Sequence, residues 1–206
     1  MIKQLMQIAP VIPVLVIDDV KDAKPLAEAL VAGGLRVLEV TLRTPAALDA
    51  IGEMSKVENA IVGVGTALNR EDLQKAQDKG ATFAVSPGFT DSLGKAASDL
   101  SMPLLPGIMT PADIMRALDQ GYTELKFFPA SQAGGTTLLK ALGGPFTEPK
   151  FCPTGGISAS NAKEYLSLPN VLCVGGSWVA PRSMVTDKNW SGITKLAAEA
   201  MTLKEA

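Results

Sequence analysis

Eight short apolar runs that recur every 20 to 26 residues, with helix-period stretches between them, predict an α/β chain folded as a (β/α)8 TIM barrel. The expected unit is one domain over residues 1–206 with a short N-terminal helix closing the bottom of the barrel. The runs are Val11–Val16, Val37–Leu42, Ile61–Val64, Phe83–Val85, Leu104–Leu105, Leu125–Phe128, Phe151–Cys152 and Val171–Val174, rich in β-branched residues. Near-continuous apolar strands of this kind fit a parallel sheet covered by helices. Nothing longer than one βα unit separates them, so no linker is expected, and the units are too dissimilar to count as a sequence repeat.

The helices follow from period and punctuation. Ala23, Leu26, Ala27, Leu30 and Val31 share one helical face, and Gly33-Gly34 ends it. Thr110-Pro111 with Asp113 supplies an N-cap, a proline at N1 and an acid in the first turn, and Gly121 supplies the stop. Thr44-Pro45 is expected to start a helix in the same way, and Asn69 with Asp72 to start another. Further helices are expected over Asp91–Asp99, Thr137–Leu142, Asn161–Leu166 and Trp190–Leu203. Eight units in 206 residues make a compact barrel, since the fold usually takes about 250 residues and can take about 200. An open doubly wound sheet is the alternative, but no Gly-x-Gly-x-x-Gly follows the first run.

Composition narrows the function. The chain is 47% hydrophobic and 19% charged, which opposes disorder, and its net charge of −2 lacks the basic footprint of a nucleic-acid binder. No stretch approaches about 18 uninterrupted apolar residues, and no basic segment precedes an apolar one at the N-terminus. A soluble, cytoplasmic protein with no membrane partner is the expectation. Cys152 and Cys173 match no zinc spacing and read as buried, reduced thiols. There is no histidine, which removes Ser-His-Asp and Cys-His triads and imidazole metal sites together. Acid–base chemistry must therefore come from carboxylate, lysine, tyrosine, cysteine or water.

In a barrel, chemistry sits at the C-terminal ends of the strands, so polar residues inside or just after apolar runs are the informative ones. Lys126 interrupts the middle of Glu-Leu-Lys-Phe-Phe-Pro. Burial disfavours an ammonium, and a neutral lysine amine condenses with carbonyls; the other reading is a structural ion pair. Glu39, Thr41 and Arg43 alternate along another run and share a face. Glu39 could neutralise a lysine or shuttle protons and Arg43 could clamp a carboxylate, or the two could pair only with each other. Gly155-Gly156 and Gly175-Gly176 follow the last two runs, where barrels bind phosphate through backbone N–H groups. Thr66 and the Ser86-Pro87-Gly88 segment also end runs and fit ordinary turn chemistry as well as a site.

Taken in order, Val-Leu-Glu39-Val-Thr-Leu-Arg43-Thr, Gly65-Thr66, Ser86-Pro87-Gly88, Leu-Lys126-Phe-Phe128-Pro129-Ala, Phe-Cys-Pro-Thr154-Gly155-Gly156-Ile and Gly175-Gly176-Ser177-Trp178 resemble the 2-keto-3-deoxy-6-phosphogluconate (KDPG) aldolase family, which includes 4-hydroxy-2-oxoglutarate aldolase. The resemblance runs from about Pro10 to the final helix. It departs at Ala67, where the family has valine, and at Ser131, where it commonly has glutamate. It implies a class I aldolase that cleaves the phosphorylated keto-deoxy acid to pyruvate and glyceraldehyde 3-phosphate, usually as a homotrimer. By motif, Lys126 would form the imine and Glu39 would move protons. Arg43 and Thr66 would hold the carboxylate, while Phe128 and Pro87 line the pocket. Thr154 would contact the substrate chain, and Gly155, Gly156, Gly176 and Ser177 would receive the phosphate. A protonated imine is itself an electron sink, so neither metal nor organic cofactor is required. The alternatives are cleavage of 4-hydroxy-2-oxoglutarate to pyruvate and glyoxylate, a metal-dependent phosphosugar isomerase or epimerase, and a silent phosphosugar-binding barrel.

Overall fold

A computed structural model describes residues 1–204; the last two residues of the expected 1–206 unit lie outside the described residues. Helix α1 (Ile2–Ile8) precedes strands β1 (Val11–Leu15), β2 (Val37–Thr41), β3 (Ile61–Gly65) and β4 (Phe83–Val85). Between these strands lie α2 (Ala23–Ala32), α3 (Ala47–Met54) and α4 (Arg70–Asp78), with α5 (Asp91–Asp99) following β4. The next strands are β5 (Leu104–Leu105) and β6 (Gly107–Ile108), then α6 (Pro111–Asp119), β7 (Glu124–Phe127), α7 (Gly135–Leu142) and β8 (Lys150–Pro153). The chain ends with α8 (Ala162–Leu166), β9 (Val174–Gly176), α9 (Arg182–Thr186) and α10 (Trp190–Met201).

The strands are parallel and pair in the order β5-β4-β3-β2-β1-β9 and β6-β7-β8. Two seams turn these sheets into a barrel. At one, Pro106, which has no N–H to donate, divides a single staggered strand: Leu104–Leu105 serves β4 and Gly107–Ile108 serves β7. The Pro106 carbonyl still accepts from the Lys126 N–H at 2.8 Å. At the other, bridges Phe151–Val171 and Thr154–Gly175 join β8 to the β9 segment. The α/β barrel expected from the runs is therefore the observed fold.

Every residue of β2 is buried, because helices cover one face and the barrel interior the other. Leu38 and Val40 join the large core between strands and helices. Val37 joins a smaller interior core of Ile12, Phe83, Val85, Leu105, Cys152 and Cys173. Ile2 and Met6, one turn apart on α1, complete that interior core from below. Both cysteines thus end as buried core residues, as their surroundings predicted.

Several boundaries differ from the expectation, each for a physical reason. The last strand is not Val171–Val174 but Val174–Gly176, paired with Val11, Ile12 and Pro13. The diglycine that was to follow the strand is part of it, since glycines carry no side chain that could register as an apolar run. Thr44 caps no helix: α3 starts at Ala47, and the Thr44 hydroxyl instead donates to the Ile17 carbonyl across the barrel top. Helix α9, only five residues long, has no amphipathic period to announce it.

The Thr110 signal is realised as a full capping box, in which Thr110 accepts from the Asp113 N–H and Asp113 accepts from the Thr110 N–H at 2.9 Å. Burial alone pushes the Asp113 carboxyl up, but the Thr110 N–H and hydroxyl, the Met109 N–H and Arg116 outweigh it and hold the carboxyl below its usual range. A depressed folded-state value stabilises the fold above the unfolded value near 3.9, and that contribution fades as pH falls through the folded one. Asp113→Asn is expected to lower Tm by about 2–4 °C at neutral pH. Thermal melts from pH 7 to pH 3 should show the gap between variant and wild type closing on the acid side.

Candidate active site

Lys126 occupies the middle of β7 and points into the barrel, in register with Gly107 on one side and Cys152 on the other. Its Nζ lies 3.3 Å from Glu39 Oε1 on β2, and the two side chains are only 5% and 3% exposed. The partners are 87 residues apart in sequence. Such a pair is costly to desolvate, and removing one member strands the other charge, so it holds only where geometry enforces it. The ring of Phe128, two residues on and on the same face, sits with its centroid 5.1 Å from Nζ.

Glycines on neighbouring strands make the enforcement possible. β3 reads Ile-Val-Gly-Val-Gly, which places Gly63 and Gly65 on the same inward face. A Cβ on Gly65 would overlap Glu39 Oε1 and come within 2.7 Å of its Cγ, while one on Gly63 would meet the Phe83 ring. On β9, a Cβ on Gly175 would overlap the hydroxyl of buried Thr154. These clearance positions escape a search for functional groups; the period-2 repeat of glycine in an apolar strand is the signal that marks them.

At the C-terminal ends of the strands, beyond the pair, opens a cavity of about 620 Å³; Phe128, two residues past Lys126, lines it, whereas Lys126, Glu39 and Thr66 do not. Arg43 reaches it from the end of β2, and Phe128 and Thr154 reach it from β7 and β8. Gly155, Gly156, Gly176 and Ser177 line it from the ends of β8 and β9. Gly155 and Gly156 adopt φ of +101° and +71°, a turn that side chains resist. Arg43 does not pair with Glu39; among the described residues it makes no ion pair and is exposed to the cavity. Among the described residues no carboxylate lines this cavity, so its lining suits an anion.

Thr66, just after β3, holds φ of +62°, a conformation costing on the order of 1 kcal/mol for a non-glycine residue and typical of functional turns. Pro87 falls elsewhere: it lines a neighbouring recess of about 490 Å³ that shares only Phe128 and Pro129 with the first cavity. Ser86 before it is buried and accepts the Gly107 N–H at 3.3 Å, so this turn ties β4 to β6. Val14, Val16, Gln132 and Arg182 also line the main cavity and carried no sequence signal of their own.

The family model for KDPG and KHG aldolase matches residues 2–196. The chain belongs to this family. A relative in Pseudoalteromonas atlantica, named 2-dehydro-3-deoxy-phosphogluconate aldolase, is 54% identical over 193 residues, covering 93% of this chain and 90% of its own. The crystal structure of the Zymomonas mobilis KDPG aldolase with 3-phosphoglycerate superposes with a TM-score of 0.94 at 53% identity, covering 98% of this chain and 96% of that one. The Legionella pneumophila KDPG aldolase, with pyruvate captured as a covalent carbinolamine, gives a TM-score of 0.94 at 46% identity over 97% of each chain.

Gly65→Ala is expected to displace the Glu39 carboxylate from Lys126. Overpacking of this kind costs about 1–3 kcal/mol of stability. Trapping of a pyruvyl imine with borohydride should slow at least about tenfold in this variant; an unchanged trapping rate would show that Glu39 tolerates the added methyl.

Proposed function

We infer that this chain is a class I aldolase cleaving 2-keto-3-deoxy-6-phosphogluconate to pyruvate and glyceraldehyde 3-phosphate, through an imine on Lys126 with Glu39 as general acid/base. The observation that carries the residue roles is the buried Lys126–Glu39 pair at 3.3 Å beneath an open cavity. Transfer of one proton from the ammonium to Glu39 leaves a neutral amine whose lone pair attacks the C2 ketone. Glu39 returns the proton as the carbinolamine loses water, giving a protonated imine. Glu39, again a carboxylate, takes the C4 hydroxyl proton; the C3–C4 bond breaks, glyceraldehyde 3-phosphate leaves, and the bond's electrons enter the iminium to form an enamine. Protonation at C3 and hydrolysis release pyruvate and restore the lysine.

In this reading Arg43 and Thr66 hold the pyruvyl carboxylate and Phe128 packs against the imine. Thr154 contacts the chain of the substrate, and Gly155, Gly156, Gly176 and Ser177 take the phosphate through backbone N–H groups and the Ser177 hydroxyl. Pro87, in the adjacent recess, shapes the wall behind Phe128. The unphosphorylated 4-hydroxy-2-oxoglutarate reading is not favoured, since the relatives above are named for the phosphorylated acid. No helix among the described residues is long and apolar enough to cross a membrane, and the reading places the enzyme in the cytoplasm with a small-molecule substrate.

Incubation with pyruvate and borohydride should add about 72 Da, the mass of pyruvate gained, water lost and an imine reduced, on the peptide carrying Lys126. Lys126→Ala should abolish the adduct and turnover, whereas activity within about tenfold of wild type would remove the Schiff-base role. Glu39→Gln should lower kcat by about 10²–10⁴-fold with a smaller change in KM.

The same reading includes a homotrimer. Leu68 and Met109, 60% and 43% exposed, flank the recess beside the site and support an apolar surface for a second copy. Light scattering should give three times the chain mass of 21.5 kDa; a monomer at working concentration would refute it.

A further inference from the structure

The first residue of α9, just after the loop that follows β9, carries a second cation to the cavity. Arg182 lines the same wall as Gly155, Gly156 and Ser177, five positions after that serine. Its guanidinium is held by Asp18, from the segment after β1, with Nη2–Oδ1 at 2.6 Å and Nε–Oδ2 at 3.1 Å. Asp18 itself does not line the cavity. Both side chains are about two-thirds exposed, at 64% and 60%, and an exposed ion pair of this kind contributes little stability. Changing its partner therefore costs the fold little.

We propose that Arg182 is a specificity-determining residue for the phosphate end of the substrate, held by Asp18 and shared with the phosphate when it binds. This rests on the phosphate-end assignment made above. Arg43, the other cation among the described residues that line the cavity, follows β2 and takes the carboxylate in that reading, while Arg182 comes five residues after Ser177, so Arg182 is the one placed for the phosphate. A dianion outcompetes a monoanionic carboxylate for a guanidinium, and the planar fork of arginine can bond two phosphate oxygens at once. Asp18 acts as a counter-ion that holds Arg182 in place and, by competing for it, weakens the grip on phosphate. The glycine N–H groups hold the phosphate in position, while Arg182 sets how strongly a phosphorylated acid is preferred over an unphosphorylated one.

Two measurements test this. The first is the ratio of kcat/KM for 2-keto-3-deoxy-6-phosphogluconate to that for its unphosphorylated counterpart, at two ionic strengths. Arg182→Ala should lower the ratio about tenfold through KM, the effect of losing one contact of ~1.4 kcal/mol, and should flatten its salt dependence. Arg182→Lys should restore part of it, and Asp18→Asn should raise it about two- to threefold by removing the competing carboxylate. The second is titration calorimetry with inorganic phosphate, which needs no turnover and reads the contact even if the aldolase reading fails. Phosphate affinity should fall in Arg182→Ala and rise in Asp18→Asn. A ratio and a phosphate affinity unchanged in Arg182→Ala would overturn the proposal. So would equal losses on both substrates with a lowered Tm in both variants, which would make the pair a clasp between the first and last loops.

Discussion

One buried ion pair sets the terms for the rest of the molecule. Lys126 and Glu39 lie inside the barrel with almost no solvent contact, where a lone charge would be costly and an idle pair would be a liability. The surroundings answer that cost by geometry. β7 and β2 stand on opposite sides of the barrel and project the two side chains toward its axis. Gly65 and Gly175 withhold the side chains that would push Glu39 or Thr154 aside. The layer beneath, from Ile12 to Cys173, packs the barrel interior below the pair.

Beyond this pair the cavity is cationic. Arg43 and Arg182 share its lining with Gly155, Gly156, Phe128 and Thr154. In the aldolase reading, a substrate with a carboxylate near its ketone and a phosphate at its far end brings an anion to each arginine. The chain's membership of the KDPG/KHG aldolase family is compatible with that reading of the cavity.

The barrel and its two central residues were legible because burial makes polarity conspicuous: a lysine or glutamate in the middle of an apolar strand has few innocent explanations. The pairing was not legible. Glu39 could as well have faced Arg43, four residues along its own strand, and only closure of the barrel brings Lys126 nearer. Glycine was the hardest residue to read. Gly175-Gly176 looked like a turn after a strand and proved to be the strand, because a missing side chain looks the same whether it permits a bend or a close approach. Thr44-Pro45 matched Thr110-Pro111 letter for letter at the cap, yet one hydroxyl crosses to Ile17 and the other caps its helix. A local signal is honoured only when no tertiary partner outbids it.

The N-terminal helix has a consequence for traffic. With Ile2 and Met6 packed into it from below, the barrel interior is plugged at its lower end, and the cavity lies at the C-terminal ends of the strands. In the aldolase reading, the proton that Lys126 surrenders has a carboxylate 3.3 Å away to receive it. A helix that reaches no part of the cavity thus closes the floor beneath the chemistry proposed above it.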